Sequence, residues 1–250
     1  MSSQVAMDNN GNAIIVWIQY GSIFKSEYRN GVWTYPASLT DNINPAGLGV
    51  GYPQVAMDNN GNAIIVWEQY DSYDNYQIFN SEYRGGVWTN PASVADNISP
   101  DGGGNAWFLF PQVAMDSNGN AIIVWQQHNG TNYRIFKSEY RNGVWKYPSS
   151  LDDNISPDGQ DAWPPQVAMD NNGNAIIVWY QRDESNIYQI FKSDYRGGTW
   201  TNPSSLSDNI SPDGQDAVYP QVAMDNNGNA IIVWNQSDGA NLQIFKSEYR

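Results

Sequence analysis

The string QVAMDNNGNAIIVW stands at Gln54–Trp67. It returns at Gln4–Trp17, Gln112–Trp125, Gln166–Trp179 and Gln221–Trp234, with Ser117 for Asn as the one substitution. A proline precedes the last four copies, at Pro53, Pro111, Pro165 and Pro220. The spacings are 50, 58, 54 and 55 residues. Self-similarity at such a period constrains the fold more than any local signal, because each repeat is one supersecondary unit that buries its faces against its neighbours. Helical solenoid repeats are shorter and carry a 3.6-residue period, which is not found here.

One copy reads as four strands. Gln54–Asp58 is a short first strand, and Asn59–Asn62 is a turn of residues that tolerate positive φ. Ala63–Trp67 is an apolar run without alternation, the pattern of a strand buried on both faces. After a polar loop, Gln77–Arg84 alternates, with Phe79, Ser81 and Tyr83 on one side and Ile78, Asn80 and Glu82 on the other. Gly85-Gly86, or Asn-Gly at Asn30-Gly31 and Asn142-Gly143, is a hairpin signal. It predicts a fourth strand at Val87–Thr89. Such a meander has two apolar faces, and packing the copies side by side around a ring buries both.

The chain is therefore predicted to be all-β, a single five-bladed β-propeller spanning 1–250. The repeats fall at approximately 1–52, 53–110, 111–164, 165–219 and 220–250. The blades are four-stranded and antiparallel, but only four outer strands can be counted, ending at Trp33, Trp88, Trp145 and Trp200. The sequence ends at Arg250, where the fifth hairpin would begin, and no spare strand precedes Gln4. The expectation is a three-stranded last blade with the ring closed by face packing. The alternatives are a segment of a longer array, or self-association through the incomplete blade.

At Pro53, Val55, Ala56, Asp58, Gly61, Asn62, Ala63, Val66 and Trp67 the chain resembles the β-propeller repeats of bacterial proteins with a P-x-V-A-x-D-x-x-G-N-A-x-x-V-W signature. The resemblance covers the whole chain and implies an extracellular or cell-surface location. Met-Ser-Ser leads straight into the first repeat without a secretory leader. The five-bladed tachylectin-type lectins are similar in blade number alone, and none of their binding residues carries over.

The tight turns are constant and the other connections vary. In an up-and-down meander the variable loops, such as Asp71–Tyr76, His128–Tyr133 and Arg182–Tyr188, share one end with the connectors between blades. Loops on a rigid scaffold are where binding concentrates. Tyr52, Trp107, Trp163 and Tyr219 stand shortly before a first strand on that face and are the candidate ligand-binding residues, by stacking on apolar sugar faces; their other reading is as plugs between blades. The connectors share Asp-Asn-Ile-Ser-Pro-Asp-Gly, and Asp158, Asp161, Asp213 and Asp216 are candidate calcium ligands. The same residues also spell an Asx turn followed by a Pro-Asp-Gly turn, which needs no metal. The repeated Trp17, Trp67, Trp125, Trp179 and Trp234 read as core, and the repeated Arg29, Arg84, Arg141, Arg196 and Arg250 as partners of nearby acids.

Charge and chemistry narrow the function classes. With 26 acidic and 12 basic residues the net charge is −14, so the surface repels a phosphate backbone and nucleic acid is not expected as a partner. No apolar run approaches the ~20 residues of a membrane helix, so membrane insertion is not expected. Absence of cysteine excludes disulfides and thiolate sites. A glycosidase needs two carboxylates in different environments, and near-identical blades repeat one environment. The asymmetric acids, Asp71, Asp74, Asp183 and Glu184, read as solvated, and His128, the single histidine, as a surface residue. The reading is a non-catalytic module that recognises a glycan or a protein through its variable loop face, with no required cofactor. A structural scaffold is the alternative, and a glycosidase the third reading.

Overall fold

The computed structural model describes every residue except Met1, Leu48, Asp74 and Gly103–Trp107. Blade 1 holds strands β1 (Ser3–Met7), β2 (Ala13–Gln19), β3 (Ser22–Arg29) and β4 (Val32–Thr34), and blade 2 holds β5 (Gly51–Met57), β6 (Ala63–Tyr70), β7 (Tyr76–Arg84) and β8 (Val87–Thr89). Blade 3 is β9 (Gln112–Met115), β10 (Ala121–His128), β11 (Tyr133–Arg141) and β12 (Val144–Lys146); blade 4 is β13 (Ala162–Met169), β14 (Ala175–Arg182), β15 (Tyr188–Arg196) and β16 (Thr199–Thr201). Blade 5 is β17 (Ala217–Met224), β18 (Ala230–Ser237) and β19 (Leu242–Tyr249). Among the described residues every sheet is an antiparallel meander in chain order, four sheets of four strands and one of three. The molecule is a five-bladed β-propeller fold with a three-stranded last blade.

Two strands run further than their apolar signal. The second strand continues past its Trp because the polar residues beyond it find buried partners. The Trp67 indole N–H donates to Gln69 Oε1 at 3.3 Å, and Gln69 Nε2 donates to the Pro45 carbonyl at 3.0 Å. The first strand of blades 2, 4 and 5 begins before the Pro-Gln pair, through a register shift between Gly51 and Gln54, Trp163 and Gln166, and Val218 and Gln221. Such a bulge bends the strand and re-aims the side chains on it.

The repeated phrase fills the seams between blades. Ile64, Val66 and Ile78 of blade 2 pack with Ile123, Trp125 and Phe136 of blade 3, and the opposite face of blade 2 packs on Ile14, Val16 and Ile23 of blade 1. The alternation predicted for the third strand thus divides its side chains between two seams. Trp67, Trp125 and Trp179 are fully buried, and each ring stacks on a Phe of the next strand. The repeated Asp closes its turn: Asp58 Oδ1 accepts the N–H groups of Asn60 and Asn62 at 2.9 and 2.7 Å, with Gly61 at φ 79°.

Polar latches cross each seam. Asn60 Nδ2 donates to the Ser117 carbonyl of the next blade at 3.0 Å. That position supplies only backbone, so serine can replace asparagine there. Arg84 bonds Glu82 in its own strand at 2.8 Å, reaches the Gly119 carbonyl at 3.1 Å and lies 3.7 Å over the Tyr140 ring. The recurring arginine pairs with its acid as expected, and it also ties its blade to the next.

The ring does not close by face packing. No core cluster joins blade 5 to blade 1 among the described residues; the four clusters join blades 1–2, 2–3, 3–4 and 4–5. Ile231 and Ile244 on one side and Val5 and Met7 on the other stay more than half exposed. The expectation of closure is corrected on this point: identical blades carry identical faces, but the turn per blade decides whether the first meets the last.

Candidate functional site

Among the described residues the variable loops and connectors lie at one end, and connectors attach there to the start of the third strand. Ile98 N donates to the Ile78 carbonyl at 2.8 Å, and the Ser99 hydroxyl accepts Ile78 N at 2.9 Å. Two aromatic clusters grow from this end.

The larger cluster spans blades 3 to 5. Trp163 opens β13 opposite Tyr180 of β14, with ring centroids 6.4 Å apart and planes within 17°. Tyr133, at the start of β11, lies 6.0 Å from Trp163 at 24°. Tyr180 meets Tyr188 at 5.5 Å and Tyr219 at 5.6 Å, both edge-on, and Arg182 sits 4.4 Å over Tyr188. Trp163, Tyr180 and Tyr133 are half-buried, whereas Tyr219 is 66% exposed. Burial, then the neighbouring Tyr219 and Tyr188, push the Tyr180 hydroxyl up to about 12, so it remains a hydrogen-bond donor at neutral pH.

The smaller cluster caps blade 2. Tyr52 lies 4.6 Å from Phe110 and 5.2 Å from Phe108. Tyr76 stacks on Tyr70 at 4.0 Å and touches Phe108 at 5.7 Å. Glu68 is fully buried beneath them. Its Oε2 accepts Leu109 N at 2.6 Å and Phe110 N at 3.3 Å, while Oε1 has no partner among the described residues. Burial pushes its carboxyl up to about 7 against those two N–H groups.

Tyr52, Phe110 and Tyr219, each just before the repeated proline, are held at φ 47°, 48° and 56°, a left-handed backbone that is an outlier for a bulky residue. The same bulge forms in blade 4 with Pro164 at the equivalent place, and proline cannot take positive φ. The register shift alone therefore does not require the strain at Tyr52 and Tyr219. Strained residues of this kind cluster at ligand clamps and active sites.

Of the aromatic candidates, Trp163 and Tyr219 meet through Tyr180 in one cluster and Tyr52 anchors the other; Trp107 lies outside the described residues. Tyr180 and Glu68 were not singled out from the sequence. Both occupy the position after the repeated Trp, where the five blades carry Ile18, Glu68, Gln126, Tyr180 and Asn235. Variation at one place inside an otherwise constant strand was the available signal.

The connector acids hold the loops. Asp161 Oδ1 accepts Tyr133 N at 2.8 Å and Asn132 Nδ2 at 3.2 Å, and Asp216 Oδ1 accepts Tyr188 N at 2.9 Å. Asp158, with a side chain 90% exposed, pairs with buried Arg134 at 3.0 Å, and Asp213 accepts Asn209 Nδ2 at 3.0 Å. Among the described residues no three Asp, Glu or His side chains converge as a metal site. Asp183 and Asp71 cap their own loops: Asp183 Oδ1 accepts Ser185 N at 2.8 Å, and Asp71 Oδ1 accepts Tyr73 N at 2.7 Å. Asp74 lies outside the described residues. His128 Nδ1 accepts Gly130 N at 3.1 Å, and its ring meets Tyr133 edge-on.

No protein-family model and no curated protein sequence matches the chain. Solved structures share its fold. An ulvan lyase bound to a glucuronate–sulfated rhamnose unit aligns with a TM-score of 0.59 and 10% identity, over 98% of this chain and 68% of that one. The Penicillium chrysogenum α-L-arabinanase complexed with arabinobiose gives 0.51 and 11%, over 95% and 77%. The Aleuria aurantia lectin in complex with a fucosylated GlcNAc gives 0.47 and 14%, over 99% and 74%. At these identities the likeness is one of fold.

Proposed function

We propose that this propeller is a non-catalytic carbohydrate-binding module and that the Tyr133–Trp163–Tyr180–Tyr219 cluster is its sugar-stacking surface. The observation that carries the reading is that cluster on the variable loop end, with Tyr219 exposed on a strained backbone. Aromatic faces pack on the apolar faces of pyranose rings, and the edges of the cluster offer Arg182, Asn132 and the Tyr180 hydroxyl for orienting bonds. The ulvan lyase and the arabinanase, which share the fold, carry glycans in their structures.

A binding role fits the acids better than hydrolysis does. Glycoside hydrolysis needs one carboxyl held protonated beside one that is ionised, both reaching the scissile bond. Asp161 and Asp216, beside the cluster, are spent on backbone N–H groups. Glu68, the carboxyl raised toward neutrality, is sealed under Leu109 and Phe110.

A glycan array, probed with and without a calcium chelator, tests the proposal. Binding to one sugar class is expected, weakened about tenfold, or ~1.4 kcal/mol, by Trp163→Ala and by Tyr219→Ala, and unchanged by Tyr52→Ala. Absence of binding, or binding indifferent to both substitutions, refutes it. Loss with chelator alone would transfer the site to the connector acids.

A further inference from the structure

Four seams in this molecule are built from one set of parts, and a fifth set stands without its counterpart. On the side of each blade that meets its successor, Ile14, Ile64, Ile122 and Ile176 are fully buried, as are Ile23, Ile78, Ile135 and Ile190. Their equivalents in blade 5, Ile231 and Ile244, are 51% and 70% exposed. On the side that meets its predecessor, Trp67, Trp125 and Trp179 are fully buried and Trp234 nearly so, while Trp17 of blade 1 is half-buried. Val5 and Met7, beside it, are 62% and 64% exposed.

The polar latches follow the same division. Arg29, Arg84, Arg141 and Arg196 each reach a glycine carbonyl of the next blade, at Gly61, Gly119, Gly173 and Gly228. Arg250, the fifth, bonds Glu248 of its own blade and has a side chain 82% exposed. Trp88, Trp145 and Trp200 each donate an indole N–H back to Glu27, Glu82 and Glu139 of the preceding blade. Among the described residues Trp33, the equivalent indole of blade 1, makes no such bond, and Glu248, the equivalent acid of blade 5, bonds only Lys246 and Arg250.

We propose that blade 5 of one chain packs on blade 1 of a second copy, head to tail, through this same seam. The intact seams specify what must stand opposite Ile231, Ile244 and Arg250: a Val-Met-Trp face, a glycine carbonyl in a tight Asp-turn and, as in three of the four, a tyrosine ring beneath the guanidinium. The chain's own blade 1 presents all of them, as Val5, Met7, Trp17, Gly11 and Tyr28. In the complex Arg250 takes the Gly11 carbonyl of the second copy, and Trp33 of that copy donates to Glu248. The contact is heterologous, so each chain keeps one free half for another partner.

Sedimentation velocity with two surface variants tests this. Ile244→Asp spoils the blade 5 half and Val5→Asp the blade 1 half, and both replace residues exposed in the single chain, so each should keep the wild-type circular dichroism. Wild type should exceed the 28.0 kDa of one chain as its concentration rises toward about 100 μM. Each variant alone should remain at one chain. An equimolar mixture should form a two-chain species and nothing larger, because it retains one sound pair of halves. Wild type at one chain throughout overturns the proposal, as intramolecular closure would produce. So does association of either variant alone to the wild-type extent, which would place the contact elsewhere or make it symmetric.

Discussion

Replacing Glu68 by Gln should remove most of the pH dependence of stability between pH 4.5 and 7. In the fold, burial lifts this carboxyl from its ordinary 4.5 to about 7, and the N–H groups of Leu109 and Phe110 offset only part of that. Below pH 4.5 the group is protonated whether the chain is folded or not, so it adds no slope. Between 4.5 and 7 the unfolded chain releases the proton and the folded chain keeps it, so stability falls as pH rises. Above 7 both states are ionised and the loss is complete. At ~1.4 kcal/mol per pH unit that interval amounts to about 3 kcal/mol. The glutamine amide oxygen can still accept from Leu109 N, while its NH2 inherits the place of the unpartnered Oε1, so absolute stability shifts by a further ~1–3 kcal/mol. The slope is therefore the quantity to read. Urea unfolding of both proteins at pH 5, 6, 7 and 8 provides it: wild type should lose about 2.5 kcal/mol more than E68Q across the series. Parallel curves would refute the burial argument and mean that water or a rearranged connector solvates the carboxylate.

Two comparisons test the seams. Gly119→Ala and Gly143→Ala both force alanine to φ near 84°, at a cost of ~1–2 kcal/mol. A Cβ at Gly143 meets open space, whereas at Gly119 it stands 3.1 Å from Asp58 Oδ2 and 3.2 Å from Arg84 Nη1. G119A should accordingly be the less stable in urea, and equal midpoints would show that the Arg84 latch contributes nothing. Trp125→Ala empties a filled seam and should cost about 3–5 kcal/mol. Trp17→Ala, in the same phrase but half-buried in blade 1, should cost clearly less in a dilute single chain, and equal losses would mean that blade 1 is covered.

The strand order and the constant turns could be read from sequence because their signals are local. Asp58, Gly61 and Asn62 fix a turn by bonding their own backbone, and Ala63–Trp67 is apolar on both sides because it has a blade on each side. The length of the second strand could not be read that way. Gln69 looks like the start of a polar loop until its two partners, the Trp67 indole and the Pro45 carbonyl, are brought to it by the fold. Glu68 likewise reads as a surface acid, and only the arrival of Leu109 and Phe110 from a connector forty residues on buries it. The aromatic candidates were found by their place before the first strand. That Trp163 and Tyr219 meet needed Tyr180, which lies inside a strand rather than in a loop. Closure was the least legible feature, since a ring and an open arc of identical blades have the same sequence.

The division of labour along each repeat explains why so much of the chain is copied and so little is free. Residues that face a neighbouring blade must suit both that blade's face and their own, so a change in one copy needs an answer in the next. Ser117 escapes because its neighbour Asn60 reads only its carbonyl. At the loop end, where contacts between blades run through aromatic rings and connectors rather than through the copied phrase, the blades differ: Glu68 and its aromatic cap in blade 2, Arg134 in blade 3, Tyr180 in blade 4. A head-to-tail contact at the fifth seam would use only the constrained positions. It would leave the loop ends untouched and, by continuing the rotation of the existing seams, would bring the aromatic clusters of successive chains round on the same face. Weak sugar contacts on each chain would then add as a multivalent surface, with affinity set by their spacing rather than by any new contact.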